Sequence, residues 1–217
     1  MNEIIEPSWP IAQKKYEILM LQELLKNEKI SRIVEIGTWT GGTARLWAKM
    51  VSRYDDGIVY CCDLSFHYGT HQAYDPVADA VETYNNQLYN GTPEEKFIKE
   101  LQGNSHDPAF IESVKNQVGI NSIDFMFIDG DHSYQGIKAD FNNFYSLVKK
   151  GSYIAFHDII DSEYHRNYGV HVSPFWNEIK HQFEWWEFID NNIYYGPTLG
   201  KTLCPSRCMG IGVIRVR

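Results

Sequence analysis

The stretch Arg32-Ile33-Val34-Glu35-Ile36-Gly37-Thr38-Trp39-Thr40-Gly41-Gly42-Thr43 constrains this chain more than any other. A short apolar run reaches an acid and a glycine and passes through a glycine-bracketed turn. It then enters a segment in which Leu46, Trp47, Met50 and Val51 recur at helical spacing. Strand, glycine-rich turn and helix N-terminus form the platform on which α/β folds seat nucleotide-like cofactors. The spacing of the glycines narrows the ligand. A dinucleotide site uses G-x-G-x-x-G so that the backbone can approach a pyrophosphate. Here three residues separate Gly37 from Gly41-Gly42, which suits a ligand with a ribose and a cationic amino-acid tail but no pyrophosphate. An ordinary corner with glycines at positive φ would read the same in this segment alone, so the other strand ends have to decide.

Further elements follow from periodicity. The spacing predicts a first helix over about Ile11 to Lys26 and strands over Arg32–Ile36 and Ile58–Cys62, the second ending at Asp63. Val77, Val81, Tyr84 and Leu88 predict a helix inside the aromatic-rich segment from Ser65 to about Glu95. A short strand, Phe97–Leu101, leads to Gly103-Asn104-Ser105, and Asp107-Pro108 supplies an N-cap and first helical residue. Ile123–Ile128 is almost wholly apolar, as a central parallel strand covered on both faces should be. A helix is expected from Tyr134 to Lys149 with Lys149-Lys150-Gly151 as its charged C-terminus and cap, then a strand over Tyr153–Phe156. Ser173-Pro174 opens a short helix, and Trp185–Ile189 and Gly210–Val216 read as two final strands. Alternating strands and helices imply an α/β, Rossmann-like, doubly wound, mostly parallel sheet, and the last two strands imply an antiparallel C-terminal hairpin. A single domain over 1–217 is expected, with an N-terminal arm and helix over 1–30 and a helical insertion or cap over 65–95.

In an open α/β sheet the ligand lies outside the carboxyl ends of the strands. Polar residues stand at every one of those ends: Glu35 and Gly37, Asp63, Asn104 and Ser105, Asp129 with Asp131 and His132, and His157-Asp158. Asp63 lies where an acid can accept both hydroxyls of a ribose. Glu35 and Asp129 are placed to hold a cationic tail, with the helix N-terminus at Gly41-Gly42 facing a carboxylate.

The first motif, acid-x-Gly-x-x-x-Gly-Gly-Thr over Glu35–Thr43, resembles that of the class I S-adenosylmethionine-dependent methyltransferases. Phe127-Ile128-Asp129-Gly130-Asp131-His132-Ser133-Tyr134 closely resembles a stretch of one small-molecule O-methyltransferase branch, the cephalosporin-hydroxylase-like proteins and their sugar and macrolide O-methyltransferase relatives. The resemblance covers most of the chain, apart from the N-terminal arm and the Ser65–Glu95 insertion. It implies the class I methyltransferase fold and S-adenosyl-L-methionine as methyl donor. The donor would be held by Glu35, Gly37, Thr38, Gly41, Thr43, Asp63, Asn104, Ser105 and Asp129, with Asn104-Ser105 at the adenine edge. Some relatives bind Mg²⁺ through the acid after the fourth strand and acids after the fifth, which here are Asp129 and His157-Asp158. Two carboxylates suit a hard cation, and His157 is a softer partner. Deprotonation of a hydroxyl acceptor falls to His132, whose imidazole titrates near neutral pH, or alternatively to Asp131.

Composition bounds the alternatives. With 28 acidic and 20 basic side chains the formal charge is -8, which repels phosphates and disfavours nucleic acid. No basic leader or membrane-length apolar run is visible, and the four cysteines are too few for a disulfide scaffold. A cytoplasmic location with free thiols follows as an expectation. Cys204 and Cys208 lack the further ligands a zinc site would need. The loops His67–Tyr74 and Tyr164–His171 suit either a polar-ring acceptor or contact with a second copy of the chain. Two other readings stay open at this level. One is a nicotinamide-dependent oxidoreductase, weakened by the glycine spacing and by the lack of an obvious Tyr-x-x-x-Lys pair. The other is a non-catalytic cofactor-binding protein of the same fold.

Overall fold

Seven strands form one sheet whose central strand is wholly buried. The computed structural model describes residues 3–9, 11–66, 72–75, 80–83, 86–190, 194–195, 202–204 and 209–217. In chain order, helix α1 (Lys15–Leu25) precedes β1 (Arg32–Ile36), α2 (Gly42–Val51) and β2 (Ile58–Asp63). Strands β3 (Gln72–Asp75) and β4 (Ala80–Thr83) come next, then β5 (Ile98–Gln102), α3 (Pro108–Val118), β6 (Ile123–Ile128) and α4 (Tyr134–Phe144). The remainder comprises β7 (Val148–His157), α5 (Glu163–Asn167), α6 (Val172–Ile179), β8 (Glu184–Phe188), β9 (Tyr194–Tyr195), β10 (Thr202–Cys204) and β11 (Ile211–Arg215).

The large sheet runs β5-β2-β1-β6-β7-β11-β8. β5, β2, β1, β6 and β7 are parallel, and β11 lies antiparallel between β7 and β8. This is the doubly wound sheet with an antiparallel C-terminal pair that the strand pattern implies. The winding reverses between β1 and β6, and the carboxyl ends of these strands flank the switch point where such folds bind ligands.

Two apolar layers cover the sheet. All six residues of β6 are buried, because helices pack on both of its faces. Val34 and Ile36 of β1 face the layer built with Val114 and Ile137, whereas Ile33 faces Trp47 and Met50 of α2. Trp47 lies edge-on to Phe125 with ring centroids 5.3 Å apart. The period-two alternation of β1 therefore turns Glu35, two residues after Ile33, toward α2.

Several local expectations are corrected. Where helical spacing predicts a helix within residues 65–95, the structure has the antiparallel strands β3 and β4, paired from Gln72↔Thr83 to Asp75↔Ala80. Pro76 disfavours helical φ/ψ at Asp75, and Val81 and Thr83 are β-branched. Val77 and Tyr84 lie outside the described residues, as do His67, Tyr68 and Cys208. The helix expected to reach Lys149 ends at Phe144 and passes through a 3-10 turn, Tyr145–Leu147, directly into β7. Lys149, Lys150 and Gly151 thus belong to a strand, where Lys149 pairs with Asp124 at 2.5 Å. Apolar residues at helical spacing continue into the strand, whose first residue, Val148, is buried. The short α5 has no apolar face of its own and escapes pattern reading.

Gly37 shows how tightly the switch point is closed. Its φ is 84°, and a Cβ there would stand 2.2 Å from the carbonyl oxygen of Asp129. Gly37→Ala should therefore destabilise the protein by about 2–5 kcal/mol, from left-handed strain plus overpacking. Urea unfolding of the two proteins measures it, and a difference under about 0.5 kcal/mol would contradict this reading.

Candidate active site

A cavity of about 640 Å³ opens at the switch point, a volume in the range of small-molecule and cofactor sites. Gly37 and Trp39 after β1 line it, with Asp63, Leu64 and Ser65 after β2. Gly103 to His106 after β5 and Asp129 to His132 after β6 complete the wall. The structure thus brings Gly37, Asp63, Asn104, Ser105, Asp129, Asp131 and His132 around one space.

Each wall is held by local hydrogen bonds. Asp63 Oδ2 accepts the backbone N–H groups of Thr38 and Trp39, each at 2.8 Å, and Oδ1 accepts that of Ser65. The Asp63 carboxylate therefore locks the glycine turn to β2. Asn104 Oδ1 accepts the His106 N–H, and Asn143 of α4 donates to the Ser105 carbonyl. His106 Nε2 lies 3.1 Å from the buried Asp140. Burial pushes the Asp140 carboxyl up, partly offset by the Ser105 hydrogen bond and the His106 charge. Asp131 Oδ1 accepts the N–H of Ser133, shaping the loop.

Glu35, Thr38, Gly41 and Thr43 stand beneath or beside the turn rather than on the cavity wall. Glu35 is 1% exposed, and its carboxylate accepts the Trp47 indole N–H at 3.0 Å. Burial, with the nearby Asp129 charge adding to it, raises the Glu35 pKa well above the ordinary carboxyl value. Gly41 has φ 78° and opens α2 with no side chain capping the helix, leaving its first-turn N–H groups available to an anion. A Cβ on Gly41 would meet Tyr89 at 2.5 Å.

Behind the Asp129 wall the structure gathers a group of acids and imidazoles. His132 Nδ1 is 2.7 Å from Asp158 Oδ2, and its Nε2 is 3.8 Å from Asp129 Oδ1. His157 Nδ1 lies 2.9 Å from Asp129 Oδ1. Ligand atoms of Asp129, His132 and Asp158 fall within 4.8 Å of one another, a set able to hold a metal ion. His157, expected as a ligand, lies outside that set and instead salt-bridges Asp129. Asp158 carries φ 62°, a left-handed backbone uncommon for residues other than glycine. Burial opposes ionisation of Asp158, but the His157 charge and the His132 hydrogen bond hold its carboxyl well below the usual range. Burial likewise disfavours charge on His132, and the Asp158 hydrogen bond with the Asp129 charge raises its pKa on balance.

Several residues around the site carry no sequence signal. Gln13, in the arm before α1, donates to Asp129 Oδ2 at 2.6 Å and accepts from Thr43 Oγ1 at 3.0 Å. Trp39, 40% exposed at φ 47°, and Leu64, 69% exposed, flank the opening. His165 of α5 accepts the Met209 N–H and donates to the Ile160 carbonyl, tying the loop after β7 to the approach to β11. This places Tyr164–His171 partly in a helix.

Residues 34–159 match a family model described as a methyltransferase domain. The chain belongs to this methyltransferase family. A protein of Acanthamoeba polyphaga mimivirus, itself uncharacterised, is 56% identical over 41 residues, a stretch spanning 19% of each chain. An O-methyltransferase from Bacillus cereus, solved with S-adenosylhomocysteine, superposes with a TM-score of 0.59 at 16% identity over 97% of this chain and 84% of its own. MycE, the methyltransferase of the mycinamycin pathway solved with Mg, S-adenosylhomocysteine and mycinamycin VI, gives 0.51 at 17% identity, over 91% of this chain and 49% of its own. These likenesses show that this methyltransferase has the class I fold. None of them favours the oxidoreductase or the non-catalytic reading.

The acid–imidazole group makes stability depend on pH. Burial lowers the His157 pKa, yet Asp129 and Asp158 more than compensate, and it is pushed up to about 10. An imidazole near 6.5 when unfolded stabilises the fold fully below that pH and loses the contribution as pH rises through about 10. Unfolding free energy should fall between about pH 7 and 10, and His157→Gln should flatten that slope. Equal slopes in both proteins would refute the assignment.

Proposed function

We propose that this protein is an S-adenosylmethionine-dependent O-methyltransferase acting on a hydroxyl of a small molecule or sugar-containing metabolite. The observation that carries the proposal is one cavity at the switch point with Asp63 on one wall and Asp129 with His132 on the other, within a methyltransferase family. Asp63 suits the ribose, Asn104 and Ser105 the adenine edge, and Asp129 the cationic tail. Gly37, Thr38, Gly41 and Thr43 shape the turn and helix N-terminus that face the tail carboxylate, with Glu35 supporting it from beneath. When bound, the sulfonium supplies its methyl group by in-line displacement and departs as a neutral thioether.

The chain's own part is positioning and proton removal. Holding the acceptor oxygen in line contributes much of the rate. His132 takes the acceptor proton at Nε2, while Asp158, 2.7 Å from Nδ1, fixes the ring and stabilises the imidazolium that forms. Asp131 is the less suited base, because its carboxylate already accepts the Ser133 N–H. Among the described residues no helix is long and apolar enough to cross a membrane. The free, buried thiols of Cys61 and Cys62 fit a reducing cytoplasm. The acidic charge of the chain favours a small acceptor over nucleic acid.

A second use of the same side chains rests on their mutual distances. Asp129, His132 and Asp158 fit a divalent cation, and two carboxylates plus water would suit Mg²⁺. Such an ion would acidify and orient the acceptor hydroxyl.

Calorimetry with S-adenosylhomocysteine and NADH tests the donor: we expect binding of the first alone, and NADH binding alone would sink the proposal. Asp63→Ala should weaken S-adenosylhomocysteine about tenfold or more, as loss of hydrogen bonds to one charged group would. A labelled-methyl screen of hydroxyl compounds identifies the acceptor. On that acceptor His132→Ala should lower kcat by about 10²–10⁴, and full turnover would remove His132 as base. Activity lost in EDTA and restored by Mg²⁺ would assign the cation, whereas unchanged activity would leave the histidine acting without one.

A further inference from the structure

The N-terminal arm lies outside the matched family region, at residues before 34, yet Gln13 in it bonds directly to Asp129 on the cavity wall. Gln13 is 4% exposed. Its amide spans Asp129 on the cavity wall and Thr43 beside the glycine turn: the nitrogen donates to Asp129 Oδ2 and the oxygen accepts from Thr43 Oγ1 at the first turn of α2. The arm is pinned at several points. Trp9 donates its indole N–H to the Gly42 carbonyl at 2.8 Å, and the Arg45 guanidinium lies 4.2 Å from the centre of its ring. Ile5 exchanges both backbone hydrogen bonds with the Gln22 side chain. Lys14 donates to the Asp190 carbonyl.

We propose that Gln13 is a binding residue for the amino-acid tail of the methyl donor, so that the arm completes the donor site. This rests on the donor reading above. The amide has two N–H groups and two lone pairs, and its bonds to Asp129 and Thr43 use one of each. The second lone pair can accept from an ammonium lodged beside Asp129. The second N–H can donate to a carboxylate facing the uncapped start of α2. A neutral amide serves both ends of a zwitterion, whereas a glutamate at this position would repel Asp129 and the carboxylate together. The anchoring through Trp9 and Ile5 sets the amide in place before the ligand arrives, which reduces the ordering cost of binding.

Two ligands isolate the tail: S-adenosylhomocysteine carries it, and 5′-methylthioadenosine lacks it. Calorimetry compares both on the intact protein and on Gln13→Ala and Gln13→Met, the latter keeping the side-chain volume. Thermal unfolding checks that the variants fold. We expect S-adenosylhomocysteine to weaken about 10–100-fold in both variants, while 5′-methylthioadenosine changes less than about twofold. Unchanged S-adenosylhomocysteine affinity would overturn the proposal, as would an equal loss for both ligands, which marks a purely structural role. Tighter binding in the variants would overturn it too, by showing that Gln13 blocks the tail site. If the unaltered protein binds neither nucleoside, the donor reading itself fails, and this inference with it.

Discussion

Everything at the site depends on how closely two backbones cross. Gly37 leaves β1 with a positive φ against the Asp129 carbonyl, at a distance no side chain could tolerate. The Asp129 N–H bonds to the Ile36 carbonyl, and the Gly37 N–H to that of Cys62. These contacts carry the hydrogen-bonding of the sheet one residue past the strand ends and bring the tips of β1, β2 and β6 together. Asp63 then fastens the turn through two further backbone N–H groups. A glycine is required here because two chains pass, and the flexibility of the turn is secondary.

Beyond the crossing, charge is concentrated under the wall. Two carboxylates, Asp129 and Asp158, face a buried His157 and a half-exposed His132. Buried carboxylates are costly unless paired. His157 supplies the compensating charge from the end of β7, the strand beside β6 in the sheet. This leaves His132, the least buried member of the group, to meet the cavity. The same arrangement that makes the acids affordable inside the fold thereby orients the imidazole able to accept a proton.

The fold was largely legible in the sequence because its strands are short apolar runs ending in polar residues. Arg32–Ile36 and Ile123–Ile128 have the bounds their patterns predict. The N-cap role of Asp107 is borne out by its bonds to the Ala109 and Phe110 N–H groups. Periodicity failed where short elements abut. The continuous apolar spacing from Ile137 to Val148 spans a helix, a 3-10 turn and the start of a strand, because each element buries those residues in turn. It failed again at Val77 to Leu88, where β4 interrupts a helical spacing. At the site, strand-end logic named Asp63, Asn104, Asp129 and His132, and all four line the same cavity. It could not tell that His132 rather than His157 completes the metal-capable set with the two acids, since that choice depends on how each ring is turned.

Gln13 and Glu17 escaped the sequence for one reason: each makes its contacts far along the chain. Gln13 meets Asp129 across 116 positions, and Glu17 of α1 accepts the Asp190 and Gly210 N–H groups across 173 and 193. No local pattern encodes such contacts, because each arises only when the antiparallel pair β8–β11 and the arm are docked against the sheet edge. Glu17 is fully buried, and burial raises its carboxyl pKa despite the backbone donors. A buried acid retained at the junction of α1 with the loops after β8 and before β11 fixes where α1 sits, and the arm continues directly from α1. The position of Gln13 is therefore set from the far edge of the sheet. The glycine turn defines the floor of the site, while its closure is determined by segments that a motif search passes over.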